Sequence, residues 1–175
     1  LLPFVAFAIL LEDGAPVFIE CKRVSGGRTV KLFKFRSMVK NAGRMKKDLL
    51  KQNERGDGPF FKMRSDPRVT RVGRVLRGFK IDELPQFLNV LRGELSLVGP
   101  RPHEPDEIKK YPGEFIDLPL AKGGLTGPTQ ATGNAFLPFE AELKADKVYL
   151  ENHSIWQDTK IIARTVKIVF RGNGV

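Results

Sequence analysis

The sequence is poor in the residue types that build disulfides and metal clusters. Its 175 residues include one cysteine, Cys21, and two histidines, His103 and His153. A single cysteine excludes an internal disulfide and a cysteine-rich metal site, and the histidines lack the spacing of metal ligands. We therefore expect a reducing compartment, a half-buried Cys21 in a strand, and both histidines at the surface. The glycine-rich KGGLTG stretch at 122–127 lacks Walker spacing, which excludes a P-loop.

The N-terminal apolar run is too short to cross a membrane. LLPFVAFAILL covers residues 1–11, whereas a spanning helix needs about 20 apolar residues. It has no basic leading region and no small-residue cleavage site, so it is a poor signal peptide. A core helix and one end of a membrane segment both stay open. The abrupt change to Glu12 and Asp13 favours the membrane segment, and Pro3 would start or kink it.

Acidic residues are scarce in the first half of the chain. Residues 22–92 hold 20 Lys and Arg against 6 Asp and Glu, within a chain of net charge +10. This field indicates an anionic partner: phosphate groups, nucleic acid or an acidic membrane surface. The hydrophobic fraction of 41% and the length favour one folded domain with a real core over a disordered chain.

The residue pattern predicts an α+β fold that is rich in helices. Two β-branched and aromatic runs, 17–24 and 29–35, flank a Gly-Gly turn and predict an N-terminal β-hairpin. Apolar spacing predicts four helices, and two Gly- and Pro-rich stretches are predicted to be loops. The helices are expected over 40–56, 66–79, 82–93 and 154–170, and the loops over 96–105 and 121–133.

The helix predicted over 66–79 has two faces. Asp66 would be its N-cap and Pro67 its first residue, and apolar residues recur on one side. Arginines recur every third residue on the other side, at Arg68, Arg71, Arg74 and Arg77. Such a stripe is usually a solvated face, but no acids lie four residues on to neutralise it. An uncompensated basic face favours phosphate on a lipid or nucleotide; nucleic acid is disfavoured because no aromatics are interleaved.

Two adjacent acids, Asp82 and Glu83, follow this stripe and come directly before Leu84 and Pro85. One interpretation is structural, with Asp82 at or near an N-cap and Glu83 in the first turn of a helix. The other is chemical, because a helix start receives phosphate, and two neighbouring carboxylates need a cation such as Mg²⁺ to ionise together. Arg101, held between two prolines, would present a fixed guanidinium to phosphate.

Several motifs resemble one family over nearly the whole chain and in the expected order. They are PVFIECKRVSGG, KLFKFRSM, DPRVTRVGRVLRGFKIDELPQFLNVLRGELSLVGPRP, GLTG and YLENHSIWQDTKIIARTVKIVFRG. The chain is similar to the bacterial sugar transferases, also called polyprenyl-phosphate glycosyl-1-phosphate or monotopic phosphoglycosyl transferases. The FRGNGV ending is most similar to the catalytic part of members that initiate capsule and exopolysaccharide synthesis.

The resemblance implies an enzyme and a reaction. Such enzymes transfer a sugar 1-phosphate from a nucleotide diphosphate sugar, usually a UDP-sugar, to polyprenyl phosphate, with release of UMP and Mg²⁺ as the cofactor. By the resemblance Asp82 attacks the β-phosphorus, Glu83 positions or deprotonates the lipid phosphate, and both carboxylates are expected near the metal. Lys34, Arg36 and Arg101 match basic phosphate-site positions; Asp146 matches an acid without a firm role; Arg74 and Arg77 of the stripe join the predicted phosphate site.

The family resemblance also implies a location. Residues 1–12 resemble the second half of a re-entrant membrane helix, and 13–175 would form the catalytic domain on the cytoplasmic face of the bacterial inner membrane. Expected partners are the nucleotide sugar, polyprenyl phosphate and the membrane, with no nucleic acid; a homo-oligomer stays open.

Some positions depart from the family pattern. Leu2 stands where a serine is usual before the proline, Asn134 stands where an arginine is usual after Gly133, and GPTQ at 127–130 replaces an aromatic-containing motif. These departures keep an alternative open: a weakened member that binds anionic lipid or nucleotide without turnover.

Overall fold

The computed structural model describes residues 2–134 and 136–172. Leu1 and the last three residues of the FRGNGV ending lie outside the described residues. The α+β class is confirmed: seven α-helices and four strands are joined by short 3₁₀ turns in the described part of the chain. The helices are α1 Leu2–Asp13, α2 Ala42–Leu49, α3 Arg71–Gly78, α4 Phe87–Leu91, α5 Pro105–Ile108, α6 Phe139–Glu151 and α7 Ile155–Arg171; the strands are β1 Phe18–Ser25, β2 Arg28–Phe35, β3 Ser96–Val98 and β4 Gly124–Thr126.

The predicted hairpin is confirmed. Strands β1 and β2 pair antiparallel, from Phe18 opposite Phe35 to Ser25 opposite Arg28. The two turn residues between them, Gly26 and Gly27, have φ of 60° and 69°, which is the twist that a two-residue hairpin turn needs. Cys21 is half-buried in β1, as predicted.

The two stretches predicted to be loops contain a short parallel sheet, so that prediction is wrong in part. Ser96 of β3 pairs with Gly124 of β4, and Val98 pairs with Thr126. The glycines allow this pairing, because a Cβ on Gly124 would lie 2.2 Å from the backbone nitrogen of Gly99. Glycine and proline mark loops in sequence, but here glycine marks a close approach of two backbones.

The basic helix begins later than predicted. Its N-cap is Thr70, whose side chain accepts a hydrogen bond from the N–H of Gly73 at 2.9 Å. Asp66 is therefore not a cap; its carboxylate binds the guanidinium of Arg68 at 2.6 Å in the preceding turn. The helix predicted over 40–56 is also shorter, since α2 ends at Leu49.

Helix α1 rests on the domain through one face. Val5 and Ile9 are buried against Phe35 and Leu76, while Phe4 and Phe7 on its other side are 79% and 61% exposed. In the described residues no helix has both the length and the apolar character needed to cross a membrane.

Two charged side chains, Glu12 and Arg36, connect α1 to the rest of the domain. The Glu12 carboxylate accepts hydrogen bonds from the N–H groups of Arg71 and Val72, at 2.7 and 2.8 Å, at the positive start of α3. The buried Arg36 guanidinium donates to the carbonyls of Asp13 and Gly14 at the end of α1. Helix α1 is thus connected both to α3 and to the end of β2.

Helix α6 was not predicted, whereas α7 was predicted within one residue. The inner face of α6 carries two buried acids, Glu142 and Asp146, alongside Leu143, so the apolar period is broken. Its apolar residues still form a core under the helix. That core contains Phe60, Phe115, Leu118, Phe139 and Leu143.

Candidate active site

The acidic pair lies on a 3₁₀ turn, Ile81–Gln86, directly before α4. Lys80 precedes the turn in the left-handed conformation, with φ of 53°, and Asp82 is the second residue of the turn. The prediction of one continuous α-helix over 82–93 is therefore wrong in its first turn. Pro85 lacks the N–H that would bond the carbonyl four residues earlier, which favours the tighter geometry.

Asn89 fixes this turn against the hairpin. It is fully buried, accepts a hydrogen bond from the N–H of Phe33 at 3.1 Å, and donates to the carbonyl of Lys31 at 2.9 Å. Phe33 and Lys31 belong to β2, so these bonds hold that strand against the turn. Lys34, a lysine on the inward face of β2, therefore lies beside the acidic pair. The Lys34 ammonium lies 2.6 Å from Oε1 of Glu83.

A polar cavity of about 330 Å³ opens at Asp82. Lys34, Arg77 and Arg101 line it together with Asp82, a residue that is 6% exposed. Burial and the charge of Arg101 lower the pKa of Lys62, another wall residue, to about 8, because cations crowd this space. Such a wall suits a diphosphate. Its further basic residues are Arg23, Lys46, Arg55 and Arg68.

Glu83 lines different spaces from its neighbour. It borders a small pocket of about 40 Å³ that also contains Lys34 and Arg101, and it borders an apolar groove of about 330 Å³. The small pocket shares Lys34 and Arg101 with the polar cavity. The two adjacent carboxylates therefore stand between a cationic cavity and an apolar groove.

The two carboxylates also differ in acidity. Burial raises the pKa of Asp82, and the neighbouring charge of Glu83 adds to this, while Lys34 and Arg77 oppose it. Burial would also raise the pKa of Glu83, but the charge and hydrogen bond of Lys34 outweigh it and hold that pKa well below its usual range. Glu83 is thus the firmly ionised member of the pair.

A buried ionic cluster stands behind Arg101, and sequence reasoning missed its centre. Glu142 of α6 pairs with Arg55 at 2.9 Å and lies 3.7 Å from Nε of Arg101. Its other neighbour is Nε2 of His103, at 3.6 Å. Burial would raise the pKa of Glu142, but His103, Arg101 and Arg55 outweigh it. Glu142 is therefore an anion that holds basic side chains at the cavity wall.

The prediction that both histidines lie at the surface is wrong for His103. Its ring is 4% exposed and packs on Phe60, and its Nδ1 hydrogen-bonds the hydroxyl of Tyr111. Burial lowers the pKa of His103, although Glu142 opposes the shift. His153 is exposed, as predicted.

Asp146 contacts the loop that carries Arg101. Its Oδ2 accepts a hydrogen bond from the backbone N–H of Arg101 at 3.0 Å. Burial raises the pKa of Asp146 to about 8, with the nearby Glu142 as a further cause. The side chain is thus placed to hold the Arg101 loop, one turn of α6 beyond Glu142.

Two predicted phosphate-site residues lie elsewhere. Arg36 follows the end of β2 and turns to the carbonyls of α1, so it is not among the residues around the polar cavity. Arg74 is exposed on α3 and is also absent from that wall. The structure therefore brings together Lys34, Arg77, Arg101, Asp82 and Glu83, but not Arg36 or Arg74.

A family comparison matches nearly the entire chain. The profile of the family described as bacterial sugar transferase covers residues 1–172. The chain belongs to the bacterial sugar transferase family. The resemblance read from the DELPQ and GPRP motifs is confirmed.

Three similar members of the bacterial sugar transferase family are larger proteins. The galactosyl transferase CpsE of Streptococcus agalactiae is 44% identical over 165 residues, 93% of this chain and 36% of its own length. The UDP-galactose-lipid carrier transferase of Erwinia amylovora is 36% identical over 176 residues, which are 99% of this chain and 37% of its own length. The undecaprenyl-phosphate galactose phosphotransferase of Salmonella typhimurium is 40% identical over 169 residues, which are 93% of this chain and 35% of its own length. The chain spans little more than a third of each relative.

The residues around the acidic pair bear on the Mg²⁺ that the family implies. The described residues contain no group of three or more His, Cys, Asp or Glu that could hold a metal ion. Mg²⁺ commonly binds one or two carboxylates and completes its shell with substrate phosphates and water. Asp82 has no ion pair with any described residue and lies at a cavity that suits a diphosphate, so the site fits an ion shared with a phosphate ligand.

Asn134 lies next to the short turn that contains Gln130, not in the polar cavity. Its side chain accepts a hydrogen bond from the N–H of Phe136 at 3.0 Å. Arg77 and Arg101 line the cavity, and Asn134 does not. The departure at position 134 therefore leaves the cationic character of the cavity intact.

Proposed function

We propose that this chain transfers a sugar 1-phosphate from a nucleotide diphosphate sugar, usually a UDP-sugar, to polyprenyl phosphate. The observation that carries the proposal is the division of the acidic pair, with Asp82 at a cationic cavity and Glu83 beside an apolar groove. A diphosphate suits the first space and a lipid suits the second. The names of the relatives, which include a UDP-galactose-lipid carrier transferase and an undecaprenyl-phosphate phosphotransferase, support both substrates.

In the first step Asp82 is the nucleophile. A carboxylate oxygen of Asp82 bonds to the β-phosphorus, the bond from that phosphorus to the bridging oxygen breaks, and UMP leaves with the oxygen and its electron pair. Arg77 and Arg101 reduce the repulsion between the carboxylate and the diphosphate and stabilise charge on the transferring group. The lack of an ion pair on Asp82, among the described residues, supports its role as the attacking group.

In the second step an oxygen of the lipid phosphate attacks the phosphorus of the phosphosugar, and the bond to Asp82 breaks. The products are a polyprenyl diphosphate sugar and the free Asp82 carboxylate. The low pKa of Glu83, with Lys34 bound to it, makes it a weak base. It acts by fixing Lys34 beside the incoming phosphate, which favours positioning over deprotonation.

Asp82 and Glu83 would hold Mg²⁺ together with phosphate oxygens of the donor. When bound, the ion would screen phosphate charge and polarise the P–O bond that breaks. The protein groups then have the simpler tasks of orienting the diphosphate and excluding water from the phosphosugar.

The same proposal places the enzyme on the cytoplasmic face of the bacterial inner membrane. Residues 1–12 would belong to a re-entrant membrane element, with residues 13–175 as the catalytic domain. The exposed aromatic side of α1, including Phe4 and Phe7, supports contact with lipid. The bonds of Glu12 and Arg36 would then fix the domain to that element.

The decisive experiment traps the intermediate. The chain is incubated with Mg²⁺ and a panel of UDP-sugars that begins with UDP-galactose, without acceptor, and peptides are analysed by mass spectrometry. We expect one equivalent of UMP and a phosphosugar on Asp82, which polyprenyl phosphate then discharges. EDTA in place of Mg²⁺ should prevent both.

Asp82→Asn should abolish the adduct, and Asp48→Asn, an exposed acid of α2, is the matched control. UMP release by Asp82→Asn equal to that of the unchanged protein would overturn the covalent step. Silence with every donor would favour the non-catalytic alternative, a member that only binds anionic lipid or nucleotide.

A further inference from the structure

The apolar groove next to Glu83 is open to solvent although its walls are hydrophobic. It runs between the 3₁₀ turn of the acidic pair, the β3 and β4 strands, and the second half of α7. Contiguous exposed apolar surface of this kind marks a binding site more often than chance. Its apolar wall residues, several of them 44–82% exposed, are Leu84, Phe87, Leu97, Leu125, Ile162, Val166, Val169 and Phe170.

Charge is confined to Lys80 and Glu83, the only ionisable groups among the described residues that line the groove. Its two threonines, Thr126 and Thr165, satisfy each other through a hydrogen bond of 2.6 Å between their hydroxyls. The remaining wall offers nothing polar from side chains. An occupant must therefore be apolar over most of its length and charged where it meets the 3₁₀ turn.

Lys80 lacks a counter-ion in the described structure. Glu83 is the acid that shares the groove wall with it, but the Glu83 carboxylate is bonded to Lys34, and no ion pair among the described residues involves the Lys80 ammonium. A cation in this position favours an anionic group at the head of an apolar ligand.

We propose that the groove binds the first isoprene units of a polyprenyl phosphate, and that the Lys80 ammonium binds its phosphate beside Glu83. This inference rests on the proposed function and deepens it by naming the site of the acceptor. The groove is far smaller than a complete polyprenyl chain, so the rest of the chain would stay in the lipid phase. The exposed Phe170 and Val166 leave the groove open for that passage.

The left-handed backbone at Lys80 explains why this residue can reach the groove. The chain reverses there between α3 and the 3₁₀ turn, with the Glu83 N–H bonded to the Lys80 carbonyl at 3.2 Å. Lys80 is thus separated by one residue from the nucleophile Asp82, yet it lines the acceptor side. An acceptor phosphate bound to Lys80 would lie close to a phosphosugar on Asp82.

Kinetics of the two half-reactions test Lys80. We expect Lys80→Gln to raise the KM for polyprenyl phosphate by about tenfold or more, the value of a lost hydrogen bond between charged groups, and to change adduct formation on Asp82 much less. Lys160→Gln, an exposed lysine of α7 outside the groove, is the matched control and should change neither. Equal losses in both half-reactions, or no loss in either, would overturn the assignment.

A binding experiment without turnover separates this inference from the proposed reaction. A short-chain prenyl phosphate with a photoreactive group near the head is cross-linked to the chain and mapped by mass spectrometry. We expect labelling of the α7 peptide and of Leu97 or Leu125, with a lower yield in Lys80→Gln and in Leu97→Ser. The matching prenyl alcohol and inorganic phosphate should compete poorly.

Labelling confined to α1, or labelling that Lys80→Gln leaves unchanged, would reject the groove even if Asp82 carries a phosphosugar. Groove labelling in a protein that never forms the adduct would instead reject the proposed reaction and keep the lipid site. Full competition by inorganic phosphate would also reject the site, because the chain would then contribute nothing to binding.

Discussion

Lys34 bonds Glu83 and leaves the adjacent Asp82 without an ion pair among the described residues. The distance from Nζ of Lys34 to Oε1 of Glu83 is 2.6 Å, while its charge still lowers the pKa of Asp82 against the effect of burial. A carboxylate tied to an ammonium is a poor nucleophile, so this arrangement supports the proposal that Asp82 attacks and Glu83 anchors.

Replacing Lys34 should raise the pKa of both carboxyl groups, Asp82 and Glu83. In Lys34→Gln the pKa of Glu83 should rise towards its usual range and that of Asp82 should rise further, so the acidic limb of the pH–rate profile should move to higher pH. We expect kcat/KM to fall by about 10²- to 10³-fold, as for removal of a preorganised charge at a reacting group. The measurement is UMP release over a pH series, with partial recovery expected in Lys34→Arg.

Lys31→Gln is the control, since Lys31 is an exposed lysine of the same strand that pairs with Glu20 at 2.8 Å. It lies three residues away, on the opposite face of β2. A profile whose acidic limb stays in place in Lys34→Gln would contradict the role given to Lys34.

The sequence predicted the groups of the site that are neighbours in the chain or belong to specific motifs. Asp82, Glu83 and Arg101 lie together as expected, and the hairpin that carries Lys34 forms around the predicted Gly-Gly turn. Arg36 was assigned to the same site because the KFRSM motif matches basic phosphate-site positions of the family. In the structure Arg36 lies elsewhere, because β2 ends at Phe35 and the Arg36 guanidinium turns to the carbonyls at the end of α1.

Long-range contacts could not be predicted in this way. His103 is isolated in sequence, and its partner Glu142 is 39 positions further on, in a helix whose apolar period is broken by its own buried acids. Burial of an ion pair leaves no periodic signal, because each charged residue resembles a surface residue until its partner is known. The parallel pairing of β3 with β4 was hidden for a different reason, because the glycines and prolines of these two stretches predict loops.

The second prediction concerns the buried Asp146 and the pH dependence of the free energy of unfolding. Its pKa is raised to about 8 in the folded protein, whereas an unfolded chain releases this proton near pH 4. The folded state therefore binds more protons between these values, so the contribution of Asp146 to the free energy of unfolding should fall as pH rises from about 4 to 8.

Asp146→Asn removes this titration and keeps an oxygen for the Arg101 N–H. We expect the difference in unfolding free energy between the variant and the unchanged protein to increase in favour of the variant by more than about 1.4 kcal/mol from pH 5 to pH 8, the value of a single pKa unit. Urea unfolding at the two pH values measures it. Asp117→Asn, an exposed acid, should show no such trend, and parallel curves for Asp146→Asn would refute the proton on Asp146.

The third prediction concerns the stability effect of a side chain at Gly73, a residue that allows α3 to lie close to the backbone that follows the hairpin. A Cβ on Gly73 would lie 2.0 Å from the carbonyl oxygen of Ser37 and 2.6 Å from its carbonyl carbon. Both are backbone atoms, so neither can move aside as a side chain can. We expect Gly73→Ala to lower the free energy of unfolding by about 1–3 kcal/mol, the usual cost of overpacking.

Gly43 of α2 is the matched control, since nothing lies within 4 Å of a Cβ built there. Gly43→Ala should raise the free energy of unfolding by about 0.5–1 kcal/mol through its helix propensity, and urea unfolding should give opposite signs for the two variants. Helix α3 carries Arg77 and leads through Lys80 to Asp82, so its displacement in Gly73→Ala should also slow adduct formation. Equal gains in stability for both variants would show that α3 does not depend on contact with Ser37.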